Sequence, residues 1–374
     1  MAIPLCNHCV TTRLPRRRFA PPRNDGSFLK RILKFFKRNR KLLFSFLALV
    51  LFAAFLFLIL AKERNMSFSF LGILEQKAEE ENKNVSPLSG LPCDNYKQRP
   101  IAVMLANDEA ARPLSGLSGA DMVFEMQVVE DSITRLMAVF VCNSPIEIGS
   151  IRSARHDFIP LAMGLDAIYA HWGGSHFALD KLKAKIMDNI DAMTNPYDSF
   201  FRKLGISAPH NGFSSIFRLT NSAEKLCYRL ENGLEGYQHQ IQNLKPKIQN
   251  PAEEIKINYA YPWNVEWEYN VENNSYLRWR GGRAEIDRNN GEQIEAKSIV
   301  VMYAKSRPLE GQYNDVDVEG GGDIVVYQNG GKIKGRWKKD KNNLKSKLYF
   351  LDEQGREIKF VPGQIWVEII EPGK

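Results

Sequence analysis

The sequence predicts an α+β protein: an N-terminal α/β domain with a mixed sheet, then a β-rich C-terminal domain, the whole preceded by one transmembrane helix. Three observations predict it. Between residues 87 and 235 short apolar runs alternate with amphipathic stretches, and beyond residue 251 strand-like segments are separated by turn pairs. Ahead of both, residues 42–61 form a run of twenty without charge, Pro or Gly, directly after a basic tail. With 374 residues, 44% hydrophobic and 25% charged, the chain can fill two cores and is too apolar for intrinsic disorder.

The run LLFSFLALVLFAAFLFLILA would measure about 30 Å as a helix, one bilayer crossing. It is longer than the apolar core of a signal peptide, no Ala-x-Ala pattern closes it, and no Cys follows within reach for lipid attachment. An uncleaved signal anchor in the lipid bilayer is the expectation. Residues 1–41 carry twelve Lys or Arg against one acid, Asp25, so the positive-inside rule keeps that tail cytoplasmic and places the chain beyond the anchor outside the cytoplasm. Taking the tail's +11 from the total of +8 leaves about −3 for the rest. The basic balance therefore belongs to the tail, and nucleic-acid binding is not expected of the folded part. In the tail, Phe28, Leu29, Ile32, Leu33, Phe35 and Phe36 interleave with cations at helical spacing, which suits an anionic leaflet as well as a plain topology determinant.

Cys6 and Cys9 bracket His8, but a single C-x-x-C lacks the second ligand pair of a tetrahedral zinc site, so no metal is expected there. Cys93, Cys142 and Cys227 allow at most one intrachain disulfide, with the pairing open. Residues 62–86 read as a stalk. From there, strands are expected at Ile101–Leu105 and at 122–126, 134–142 and 167–171, and helices at 154–163, 177–191 and 222–231. Residues 236–250, rich in Gln, Asn and Lys, read as a linker. Past residue 251 the turn pairs are Asn273-Asn274, Gly281-Gly282, Asn290-Gly291, Asn329-Gly330 and Pro362-Gly363, and this β-rich segment is expected to fold by itself.

Three features of the first segment suggest chemistry. In GSIRSAR, Ser150 or Ser153 would cap a helix whose opening turn holds Arg152 and Arg155 on one face. Two cations at a positive helix end are unfavourable unless an anion sits between them, and Arg135 on its strand could converge on the same point. The plain alternative is that these arginines pair with Glu125, Glu130 or Asp131. In AHWGGSH, a strand, a glycine turn and a helix could form an oxyanion nest with Ser175 as a catalytic candidate, although neither the P-loop nor the nucleophile-elbow pattern is complete. For His171 and His176 an ordinary structural role is expected ahead of a catalytic one. In SAPHNGF, a turn presents His210, the residue type that exchanges a proton near neutral pH.

The segments PLSGL (87–91), RPIAVMLAN (99–107), ARPLSGLSGADMVFE (111–125), ITR (133–135), IGSIRSAR (148–155), HWGGS (171–175) and APHN (208–211) resemble the YerB-like bacterial lipoprotein family, domain of unknown function 3048. YNVENNSYLRW (269–279), GGRAEID, IVVMYA (299–304) and the stretch from GRWKK to PGQIWVEII resemble that family's C-terminal domain, about 285 residues in matching order in all. The resemblance implies a bacterial, surface-exposed protein. Two departures stand out. Relatives resemble lipoproteins with an acylatable Cys, where this chain has a hydrophobic anchor, and a histidine of the relatives' GGRAEID stretch is replaced here by Ala284 or Glu285.

These readings lead to an expected envelope protein binding an anionic wall or lipid-phosphate component through Arg135, Arg152 and Arg155, with Glu125, His171 and His210 shaping the pocket. An envelope hydrolase or transferase with His210 or His171 as general base, and a scaffold for envelope proteins, are the alternatives. No cofactor is implied.

Overall fold

The computed structural model of the chain describes residues 48–52, 84–241 and 254–373. Residues 48–52 are helical; the basic tail, the rest of the apolar run 42–61 and the stalk up to residue 83 lie outside the described residues. Among the described residues no helix is long and apolar enough to cross a membrane.

The part from residue 84 onward is built on one mixed sheet of ten strands. Its order, from one edge to the other, is Tyr349–Asp352, Gly331–Lys339, Gly320–Gln328, Ser298–Tyr303, Ile365–Ile370, Met122–Gln127, Thr134–Phe140, Ile101–Leu105, Ile168–His171 and Asn189–Asp191. The last strand of the chain, Ile365–Ile370, lies at the centre, parallel to Ser298–Tyr303 on one side and to Met122–Gln127 on the other. Both faces of this strand are covered, which its nearly continuous apolar run IWVEII permits. The sheet therefore runs without a break from the first sequence segment into the second. Residues from about 251, expected to fold by themselves, thus share a sheet with the first segment, and Met122–Gln127 is the terminal strand's partner on one side.

Period-two alternation divides the core between the two faces. Ala102, Met104, Phe124, Met126, Met137 and Val139 face one way, against helices Phe158–Gly164 and His176–Lys183. Val103, Leu105, Val123, Leu136, Ala138 and Trp366 face the other, against helix Ile216–Lys225 and a small antiparallel sheet that includes Val265–Asn270 and Ser275–Arg280. The second segment is otherwise β-rich, and three of its hairpins turn at the expected pairs Asn273-Asn274, Gly281-Gly282 and Asn329-Gly330. Asn329 and Gly330 take positive φ angles of 53° and 68° between the paired strands Gly320–Gln328 and Gly331–Lys339.

Three expected helices are corrected. The segment 154–163 becomes helical only at Phe158; the helix expected over 177–191 ends at Lys183, and Asn189–Asp191 pairs parallel with the 168–171 strand. The helix expected at 222–231 spans Ile216–Lys225, capped by Ser215, whose hydroxyl accepts from the Arg218 N–H. The start of the expected linker is also ordered: Tyr237 is buried, with its ring 5.7 Å from those of Phe350 and Phe360. Cys93 and Cys142 form a disulfide, and Cys227 is exposed and takes no part in it.

Candidate functional site

At one end of the sheet the chain leaves Ile101–Leu105 through Ala106, Asn107 and Asp108. The neighbouring segment 149–154 is held there in extended form. Ala106 donates to the Ser150 carbonyl, Arg152 to the Met104 carbonyl and Ile151 to the Gly212 carbonyl, while Ala154 bridges Gly174. Gly149 and Gly212 allow this close packing, since a Cβ on either would overlap the Phe213 or Trp172 ring respectively. Arg152 and Arg155 therefore precede the helix. The helix-dipole argument for them is corrected: the cap of Phe158–Gly164 is Asp157, and neither Ser150 nor Ser153 caps it.

Two of the three expected arginines, Arg135 and Arg152, nevertheless stand beside one carboxylate that the sequence did not single out. Arg135 Nη1 lies 3.7 Å from Asp108 Oδ2, Arg152 Nε 3.9 Å and His210 Nδ1 3.9 Å from the same oxygen. None of these contacts is a hydrogen bond. Asp108 Oδ2, Nε and Nη1 of Arg135, Nε of Arg152, Nε of Arg155 and Nδ1 of His210 are all buried atoms without a hydrogen-bond partner. Arg155 donates to the Ala154 carbonyl and its guanidinium lies 5.6 Å from the centre of the Tyr313 ring. Arg135 and Arg152 against Asp108 leave an excess of one positive charge at this carboxylate. Burial, and then the charges of Arg155 and Arg152, lower the Arg135 guanidinium to about 9. Burial likewise lowers the His210 imidazole, with Arg152 and Arg135 adding to the effect and Asp108 opposing it, so His210 is neutral at pH 7.

The other candidates are placed elsewhere. Glu125 faces the opposite side of the sheet from Arg135, as the alternation of Met122–Gln127 requires, and is fully buried. Its oxygens accept from Arg278, Arg280 (2.6 and 2.9 Å), Asn107 and Thr134, so it cannot shape the arginine pocket or exchange protons with a ligand there. That pairing also disposes of Glu125 as the acid that neutralises Arg135, Arg152 and Arg155. His171 is buried, with Nδ1 2.9 Å from the Gly173 carbonyl and Nε2 3.2 Å from Asn189 Oδ1, and both nitrogens are thereby engaged. Ser175 is buried as the cap of His176–Lys183, its oxygen accepting from Ala178 N–H. Small polar residues at a tight turn do this routinely.

What sequence reasoning missed is Asp108 and the partners of Glu125. Asp108 was findable as the first acid after an apolar strand, on the edge of the sheet where the parallel strands end and where α/β proteins gather ligands. Arg278 and Arg280, at alternate positions of SYLRWR, gave no comparable signal, because alternate charges on a strand are ordinarily solvated. For metal ligands, His156, Asp157 and Asp315 form the one close cluster among the described residues.

A ten-stranded mixed sheet with two flanking layers, assembled from two sequence segments and carrying an arginine cluster at one end, defines an α+β protein. The chain belongs to the family described as protein of unknown function DUF3048: residues 88–229 match its N-terminal domain and residues 255–367 its C-terminal domain. It is 30% identical over 291 residues to the Bacillus subtilis (strain 168) protein named "Putative lipoprotein YerB", covering 76% of this chain and 86% of that one. The crystal structure of YerB from Bacillus subtilis superposes with a TM-score of 0.69 at 28% identity, covering 77% of this chain and 97% of the other.

Proposed function

We propose that this chain is a bacterial envelope protein, held at the outer side of the membrane, that binds an anionic group between Arg135, Arg152 and Arg155. The observation that carries the reading is the set of four buried guanidinium nitrogens, two on Arg135 and one each on Arg152 and Arg155, that have no hydrogen-bond partner. Leaving a buried donor unsatisfied costs on the order of 1–3 kcal/mol, and more where the group is charged. A phosphate- or carboxylate-bearing wall or membrane component would remove that cost for several donors at once, and the excess of positive charge favours it. An extracytoplasmic position is supported by the name of the Bacillus relative and by the Cys93–Cys142 disulfide, which oxidising compartments preserve. No Cys lies between residues 61 and 93, so the apolar run 42–61 is the proposed anchor in place of a lipid.

The test is a calorimetric and thermal-melt titration of the full chain with inorganic phosphate and pyrophosphate. Binding should raise the melting temperature, and Arg152→Gln or Arg155→Gln should weaken it by about 1.5–3 kcal/mol while the fold is kept, the size of a charge-assisted hydrogen bond. No stabilisation of the parent by either anion defeats the reading.

One observation favours a second reading, a hydrolase or transferase. His210 is neutral and stands beside the arginines with a free Nδ1, which is where a general base belongs while the guanidiniums stabilise developing negative charge. Product release from lipid-phosphate or wall fractions, abolished by His210→Gln, distinguishes it from simple binding.

A further inference from the structure

A second cluster lies just past Arg155, in a cleft of about 460 Å³ between the start of helix Phe158–Gly164 and the hairpin of Ser306–Leu309 with Tyr313–Val316. His156 Nε2 is 2.9 Å from Asp157 Oδ1 and 3.2 Å from Asp315 Oδ1, and one ligand atom from each residue lies within 4.8 Å of the other two. Donor atoms that share a divalent ion at about 2.0–2.2 Å are about 3 Å apart, the spacing of the imidazole nitrogen from each of the two carboxylate oxygens, which an imidazole hydrogen-bonded to both acids would give as well. Two further observations point to an occupant. Asp157 is in the cap position of its helix yet makes no capping bond, and its Oδ2 is buried without a partner in a residue only 4% exposed. Asp315 is oriented from outside: Arg307 donates to Oδ2 at 2.8 and 2.6 Å, leaving Oδ1 turned to the imidazole. This is how an outer arginine fixes a ligating carboxylate. Lys181 and Lys305 line the same cleft, where Asp317 and Glu319 offset them.

We propose that His156, Asp157 and Asp315 bind one divalent transition-metal ion. One imidazole with two carboxylates suits zinc or manganese, and the imidazole disfavours magnesium and calcium. Three protein ligands at the wall of an open cleft leave a coordination position for water or a ligand oxygen. The site stands independently of the arginine pocket.

The experiment uses the full chain in detergent, carrying Cys6→Ser and Cys9→Ser so that the cytoplasmic CNHC motif cannot bind zinc. After chelation and dialysis, zinc titration followed by elemental analysis should give one ion per chain. X-ray absorption at the zinc edge should show one imidazole with oxygen ligands and no sulfur. His156→Gln and Asp315→Asn should each weaken binding at least tenfold, with circular dichroism reporting whether they remain folded. The absorption spectrum of the unsubstituted site tests the proposal even if a variant does not fold. Failure to retain zinc or manganese, a coordination shell without imidazole, or undiminished binding by folded variants would overturn it.

Discussion

Arg278 is enclosed by groups from three parts of the chain. Its guanidinium donates to Glu125, to Glu285 at 2.7 Å and to Glu368 at 2.5 Å, and it lies 3.9 and 4.7 Å from the ring centres of Trp366 and Trp267. Arg280 joins the same carboxylates of Glu125 and Glu285. Burial raises the Glu368 carboxyl, making it the one of the three that holds a proton most readily. Removing Arg278 would strand the others, so Arg278→Met should destabilise the protein by about 3–5 kcal/mol in urea unfolding. A change under about 1 kcal/mol would mean the network contributes little. Glu285 gives a pH dependence. Burial opposes its ionisation, but Arg280, Arg278 and Arg112 outweigh it and hold the carboxyl at about 2, below the ordinary 4.5. A depressed carboxyl contributes stability above the unfolded value, and that contribution is lost as pH falls from about 4.5 to about 2. From the shift, it amounts to about 3 kcal/mol. Urea midpoints across this window should fall steeply in the parent and less in Glu285→Gln.

Among the elements, the short helices were the least legible. Apolar spacing across 154–163 reads as helical, but residues 151–154 are drawn into extended bridges with Leu105 and Gly174. Tertiary hydrogen bonds there outweigh a local preference worth only tenths of a kcal/mol per residue. The strands were legible because their apolar runs are short, β-branched and bounded by turns: Ile101–Leu105 lies where expected, and Met122–Gln127 and Thr134–Phe140 differ at their ends by one or two residues. The Cys93–Cys142 pair closes a loop with a sequence separation of 49. Loop-closure entropy makes its loss worth about 4 kcal/mol, so Cys142→Ser should lower the melting temperature by several degrees, measured by calorimetry. An unchanged melt would show that the pair adds nothing to the folded state.

At the scale of the molecule, the terminal strand joins the two segments. Residues 251–374 expressed alone should be insoluble or lack a cooperative melt, and co-expression with residues 84–241 should restore a soluble complex. A monomeric, cooperatively melting C-terminal fragment would refute this. If the apolar run 42–61 is the anchor, protease added outside intact cells, or spheroplasts where an outer membrane is present, should digest the chain from residue 84 onward and spare an N-terminal epitope, because twelve basic residues against one acid precede that run. The sequence by itself determined the charge asymmetry, the α+β class, four strands of the first segment, several hairpin turns and the family. These depend on local pattern: apolar period, turn chemistry and motif order. Only the tertiary structure decided that the last six-residue strand enters the first segment's sheet, that Glu125 and Arg135 face opposite sides, and that Asp108 and His210, far apart in sequence, stand at the same guanidiniums. Contacts between distant residues depend on strand order and on which face each side chain takes. A shift of one residue in register reverses the second, and no local signal in the sequence carries the first.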